Sequence, residues 1–144
     1  MSIYWAIATA LTFLWLGMVL AISFLEAPLK FRAPKVTLPI GLGIGRLVFR
    51  ALNAVEVVFV LVIAGALAAG PHPRGVVAAI AVGSGALAAQ LIAVRPWLTR
   101  RSDQVLAGLN APRSRAHYAY IGLELLKVVA LAAAGILLLG APVR

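Results

Sequence analysis

The sequence contains no cysteine. Disulfides, thiolate metal sites and thiol nucleophiles are therefore excluded. Acidic residues are almost as scarce, with four in 144 positions. Charged residues of both signs make up only 12%, whereas hydrophobic residues reach 63%; ordinary globular chains carry about 25% and 45–50%. A water-soluble fold of this size could not bury so much apolar surface, and the solvent that fits is lipid. The shortage of acids leaves a net charge of +9. The basic residues are spread between apolar runs rather than gathered into a folded patch with aromatic readers, so no nucleic-acid partner is expected. Histidine is rare too: His72 and His117 fall at opposite ends of the expected spans and cannot share one metal or haem. No Ser–His–Asp order or glycine-framed nucleophile appears. No cofactor and no metal are expected.

What the chain does have is long apolar runs. A helix needs about 20 apolar residues to cross the hydrocarbon. Segments 3–25, 47–69, 76–94 and 118–139 meet this. The first run has no Lys or Arg before it and is too long for a signal-peptide core, which reads as an uncleaved span. The expectation is one all-α domain over 1–144: a polytopic four-helix bundle in the cell membrane. "GPHPRG" between the second and third spans is a tight turn, making those spans an antiparallel hairpin. The other connections, 26–46 and 95–117, are long and basic. They hold Lys30, Arg32, Lys35 and Arg46, then Arg95, Arg100, Arg101, Arg113 and Arg115; the opposite side has only Arg74 and Arg144. By the positive-inside rule both long loops are cytoplasmic, giving an N-out/C-out topology. Each half reads as a span, a basic proline-containing loop, and a span with embedded charges.

Those embedded charges are the second positive feature. His117, Tyr120, Glu124 and Lys127 follow at i, i+3, i+7 and i+10, and Arg46, Arg50, Asn53 and Glu56 at i, i+4, i+7 and i+10. At 3.6 residues per turn each set lines one helix face. Both spans run outward from the cytoplasm, so equal steps reach equal depths. Glu56 and Lys127 should meet near the midplane, about 15 Å above Arg46 and His117. An unpaired central charge costs roughly 2.5–3.5 kcal/mol even on the lenient scale. The stripes are therefore expected to face each other, with Glu56 on Lys127 and Glu124 on Arg50, while Glu26 meets Arg46 or Arg95. Glu124 can also reach Lys127 on its own helix at i, i+3, and a protonated Glu56 is the alternative to its ion pair. With Gln90 from the third span the stripes would enclose a polar cavity open to the cytoplasm.

Three functions are compatible with such an interior. The cavity could bind or conduct a small solute, a proton or a lipid headgroup. The charges could instead be internal glue in a structural or accessory subunit of a membrane complex. An enzyme acting on an apolar isoprenoid or lipid would use Glu56, Glu124 and His117 as acid–base groups. Membrane lipids are the expected partners, with anionic headgroups drawn to Lys30, Arg32, Arg46 and Arg50 near the start of the second span. Solvated basic loops are the duller reading of the same residues. "GLGIGR" lacks the third glycine and the βαβ setting of a dinucleotide fingerprint; its glycines are expected to let the chain turn into the span. "KVTLPIGLGI" alternates apolar with small or polar residues, which argues against a helix. Ala81, Gly85 and Ala89 form a small-xxx-small ridge that would admit a neighbouring helix, a second copy or a membrane partner.

Four spans, a Phe24/Pro28 pair closing the first, and "HYAYIGLELLK" opening the last resemble the transmembrane-protein-205-like family. Those are small four-helix membrane proteins of unknown function. The resemblance implies a four-helix membrane fold and no established chemistry.

Overall fold

The structure, a computed structural model, describes residues 2–109 and 115–140; Arg113 and Arg144 lie outside the described residues. Four helices are each long and apolar enough to cross a membrane: α1 (Ile3–Lys30), α2 (Leu38–Ala69), α3 (Arg74–Leu106) and α4 (Arg115–Leu139). The protein is an all-α, multi-pass membrane bundle.

Local chemistry sets where the helices begin and end. Ser2 Oγ accepts from the Trp5 N–H at 3.1 Å and Thr37 Oγ1 from the Ile40 N–H at 3.4 Å, each satisfying a donor the first turn leaves orphaned. Pro39 lies in the first turn of α2, where its missing N–H costs nothing. The stretch "KVTLPIGLGI" is therefore helical from Leu38 onward, against expectation. Its glycines lie within α2 rather than turning the chain into it. Gly41 and Gly45 are one turn apart on a buried face, and the Phe31 ring and the Lys30 side chain lie in the groove they leave.

The basic connection after the third span is also partly helical, since α3 continues to Leu106. Both α1 and α3 pass through a π-helical stretch, Leu20–Glu26 and Gln90–Val94. Each lies two residues before a proline, Pro28 or Pro96. A proline inside a helix removes one N–H and its ring crowds the carbonyl four residues back. The wider turn relieves this: the Ala27 N–H donates to the Ile22 carbonyl and the Arg95 N–H to the Gln90 carbonyl, each five residues back. These π turns follow 17 and 16 residues of α-helix, so they sit nearly level on helices running the same way. The two halves of the chain thus share a helix, a π turn with a proline, and a returning helix.

Neighbouring helices are antiparallel. Trp5 Nε1 at the start of α1 donates to the Leu138 carbonyl at the end of α4, at 3.0 Å, and Arg46 early in α2 pairs with Asp103 late in α3 at 2.8 Å. Helix α1 packs on α2 and α4, and α4 on α3. Helices α2 and α3 close the ring mainly through Arg95–Leu106, which places α2 and α4 on a diagonal. The apolar core is one-sided. Trp5, Ala8, Trp15 and Val19 meet Ile63, Leu67, Ile80, Leu87, Leu131, Ala134 and Leu138, all from the half of the bundle away from the basic end. Gly135 lets the Phe13 ring lie against α4 there.

Outward faces are apolar. Leu47 is 69% and Ile92 78% exposed, and Leu61, Val129 and Ile136 also point away from the bundle. In water such a surface would aggregate; in a membrane it is the lipid contact. Ala81 and Gly85 belong to this outer surface and Ala89 is half-buried. The ridge they form does not join the helices of the bundle. That close approach falls to Gly83, which faces Ala130 and Leu131.

Candidate functional site: an ion cluster beneath a basic cavity

At mid-bundle the polar stripes of α2 and α4 meet across the diagonal. Lys127 Nζ lies 2.6 Å from Glu56 Oε2 and 2.7 Å from Glu124 Oε1. Lys127 and Glu56 are both wholly buried. The equal-depth argument accounts for this pair, because equal rise along two parallel helices brings opposite charges to one height. Two carboxylates face one ammonium, and neutral donors from the other two helices make up the difference. The Trp15 indole N–H of α1 donates to Glu56 Oε2 at 2.7 Å and the Gln90 amide of α3 to Glu124 Oε1 at 2.6 Å. The Ser23 hydroxyl of α1 donates to Glu124 Oε2 at 2.6 Å. Ser23 and Gln90 both sit in π turns; the turns forced by Pro28 and Pro96 thus supply Glu124 with donors from opposite sides.

Glu124 does not pair with Arg50. Arg50 is exposed on the flank of α2, whereas Glu124 looks to the bundle axis, where Lys127 one turn along its own helix reaches it first. Glu26 meets neither Arg46 nor Arg95. Its nearest cation is Lys30, at 3.8 Å one turn on, while Arg46 is engaged by Asp103.

Above the cluster, toward the basic end, the four helices enclose a cavity of about 480 Å³. Glu124 and Tyr120 form its floor, and Lys30, Arg46, Arg95 and Arg101 stand around its walls with His117. Phe24, Phe31 and Phe49 supply the apolar side. Lys30 Nζ lies 5.6 Å from the centroid of the Phe31 ring and 5.8 Å from that of Phe49, within cation–π range. Phe49 in turn meets Tyr120 edge to face at 5.8 Å. Glu56 and Lys127 lie below and line neither this cavity nor the smaller one beside it. That second cavity, about 280 Å³, opens between α2 and α3 and is lined by Arg46, Arg50, Asn53 and Arg95, then Ala54, Val57 and Leu91. Arg32 is exposed in the link between α1 and α2 and lines neither.

Several buried polar atoms around these spaces have no hydrogen-bond partner among the described residues. They include Nε and Nη2 of Arg95 and Oε2 of Glu26, whereas the Asn53 amide and the Tyr120 hydroxyl interact with each other. Buried donors and acceptors are paired in the great majority of cases, so these atoms call for a partner from the adjoining space, such as an ordered water.

No family model, curated protein or solved structure matches this chain. The likeness to the transmembrane-protein-205-like layout extends to a four-helix, all-α membrane bundle, which is not specific to that family.

Sequence reasoning placed Asn53, Glu56, Gln90, Tyr120, Glu124 and Lys127 inside the bundle, and all are buried. It missed Trp15 and Ser23. Ser23 carried a weak signal, as one of three Ser/Thr hydroxyls, with Thr9 and Thr12, in the first apolar run. Trp15 carried none, since an indole is equally at home in lipid and only the fold shows what its N–H meets.

Proposed function

We propose that the protein is a membrane-embedded binder of an anionic ligand, a small solute or a phosphate-bearing headgroup, held in the cavity at its basic end. The positive-inside rule turns the mouth of that cavity to the cytoplasm and both chain ends outward. Arg95 carries the reading. Its guanidinium borders both cavities, and its buried Nε and Nη2 have no partner among the described residues. Two buried, unpaired guanidinium nitrogens on a half-buried side chain are costly, and an anion would offset that cost through charge-assisted hydrogen bonds. Lys30 adds positive potential, Arg46 being engaged by Asp103, and the acid at the floor, Glu124, is already held by Lys127. Ala8, Ile63, Leu131 and Leu138 fill the bundle beyond the cluster, which favours holding a ligand over conducting it.

Complete burial of the Glu56–Lys127 pair favours a second role, for the cluster alone, as the glue that sets bundle register. This is compatible with the first, because the pair lies outside the cavity. The outward Ala81/Gly85/Ala89 ridge is then free to meet a second copy or a partner helix in an assembly.

Calorimetric titration of the purified protein with inorganic phosphate and pyrophosphate tests the binding role. Saturable binding that weakens with salt and is lost in Arg95→Gln is expected. Absence of saturable binding to the wild-type protein by either anion would overturn it.

A further inference from the structure

We infer that the smaller cavity between α2 and α3 is a lateral port, through which the ligand enters as the phosphate-bearing headgroup of a membrane amphiphile. This rests on the anion-binding role above and narrows it to a ligand class and a route.

The port is polar at one end and apolar at the other, in the order a lipid requires. Arg46, Arg50 and Arg95 stand at the basic end, where headgroups lie. Ala54 and Val57, one and two turns deeper along α2, together with Leu91 on α3, form the inner rim. Ala54 and Val57 are exposed on the outer face of the bundle, so this rim meets acyl chains. A phosphate placed between Arg50 and Arg95 would let its chains run along Val57 and Leu91 toward the midplane, parallel to the neighbouring lipids. A soluble anion would have no use for that apolar rim.

Asn53 adds a neutral polar group to the port. Its side chain lines the port, is only 4% exposed, and interacts with the Tyr120 hydroxyl on its inner side. An amide offers two donors and an acceptor, which suits a phosphate oxygen and a glycerol hydroxyl or ester together. The port and the larger cavity share Arg46, Arg95 and Thr99, so a headgroup seated on Arg95 from the side reaches the same space that opens at the basic end. The gap exists because α2 and α3 touch mainly through Arg95–Leu106 rather than along their whole length.

The test uses the full-length protein in nanodiscs of phosphatidylcholine doped with spin-labelled phosphatidic acid, with spin-labelled phosphatidylcholine as the neutral control. The wild type is expected to immobilise the phosphatidic acid preferentially. Arg95→Gln should weaken this by roughly tenfold or more, as for loss of hydrogen bonds to a charged group. Ala54→Trp replaces an exposed residue and so leaves the bundle folded. It should block the immobilised fraction while calorimetric binding of inorganic phosphate from the basic end persists. Phosphate binding with no preference for phosphatidic acid, or with an Ala54→Trp protein that still immobilises it, would overturn the lateral port and leave the cavity standing. Loss of both lipid and phosphate binding in the wild type would overturn the cavity itself.

Discussion

Replacing Lys127 by Met removes the cation that, among the described residues, lies at the centre of the bundle, while keeping a side chain of similar length. In the native protein its Nζ touches two carboxylates, at 2.6 Å and 2.7 Å, and is fully buried. Without it, Glu56 and Glu124 face each other with only the Trp15, Gln90 and Ser23 donors for compensation. Removing one partner of a buried ion pair typically costs about 3–5 kcal/mol, and two carboxylates are orphaned here, which puts the expected loss at the upper end. Set against a whole-domain stability of about 5–15 kcal/mol, the variant should be folded marginally or not at all. Reversible unfolding in mixed micelles, followed by near-ultraviolet circular dichroism, gives the free energy. The decisive comparison is the triple variant Lys127→Met/Glu56→Gln/Glu124→Gln. It keeps the shape and removes every charge, so it should recover most of the lost stability, because the penalty lies in uncompensated charge rather than in missing volume. A Lys127→Met protein as stable as wild type, or a triple variant no better than the single, would refute the reasoning.

Trp15→Phe deletes the N–H that meets Glu56 and leaves a small cavity at this wholly buried site; a loss of at least about 1.5–3 kcal/mol, as for a hydrogen bond to a charged group plus the cavity, should appear in the same unfolding assay. Gly41→Ala and Gly43→Ala, two residues apart in one helix, should behave oppositely. A Cβ at Gly41 collides with the Phe31 ring and expels it from its groove, whereas one at Gly43 meets nothing within 4 Å. The first should destabilise and expose Phe31 to aqueous quenchers of a nearby label, and the second should stabilise by up to about 1 kcal/mol from helix propensity. Because the native chain has no cysteine, single reporters can be introduced without background. Cysteines at Ser2 and His72 should react with an impermeant maleimide from outside intact cells, and one at Arg100 only after lysis; the reverse pattern would overturn the N-out/C-out topology.

Membrane residence, the number of long helices and the Glu56–Lys127 pair could all be read from the chain itself. Hydropathy is a sum over local residues, and depth follows from a fixed rise per residue, so neither depends on how the helices are arranged around one another. The i, i+3 contact of Glu124 with Lys127 was legible for the same reason, but the choice between Lys127 and Arg50 does depend on that arrangement. Arg50 and Glu124 occupy similar depths on stripes of similar spacing, yet Arg50 points to the α2 flank and Glu124 to the axis, and azimuth is decided only when neighbouring helices pack. The π turns before Pro28 and Pro96 were hidden for a related reason. A proline announces a break, but whether the helix ends or widens and continues depends on what the widened turn can donate to, and here Ser23 and Gln90 find Glu124. The glycines of "GLGIG" read as a bend in one dimension; in three dimensions they form the groove that receives Phe31 and Lys30. Composition decided the solvent and periodicity the faces, whereas the cavity, its unpaired Arg95 and its side port exist only because four helices of unequal contact leave a gap that no single helix encodes.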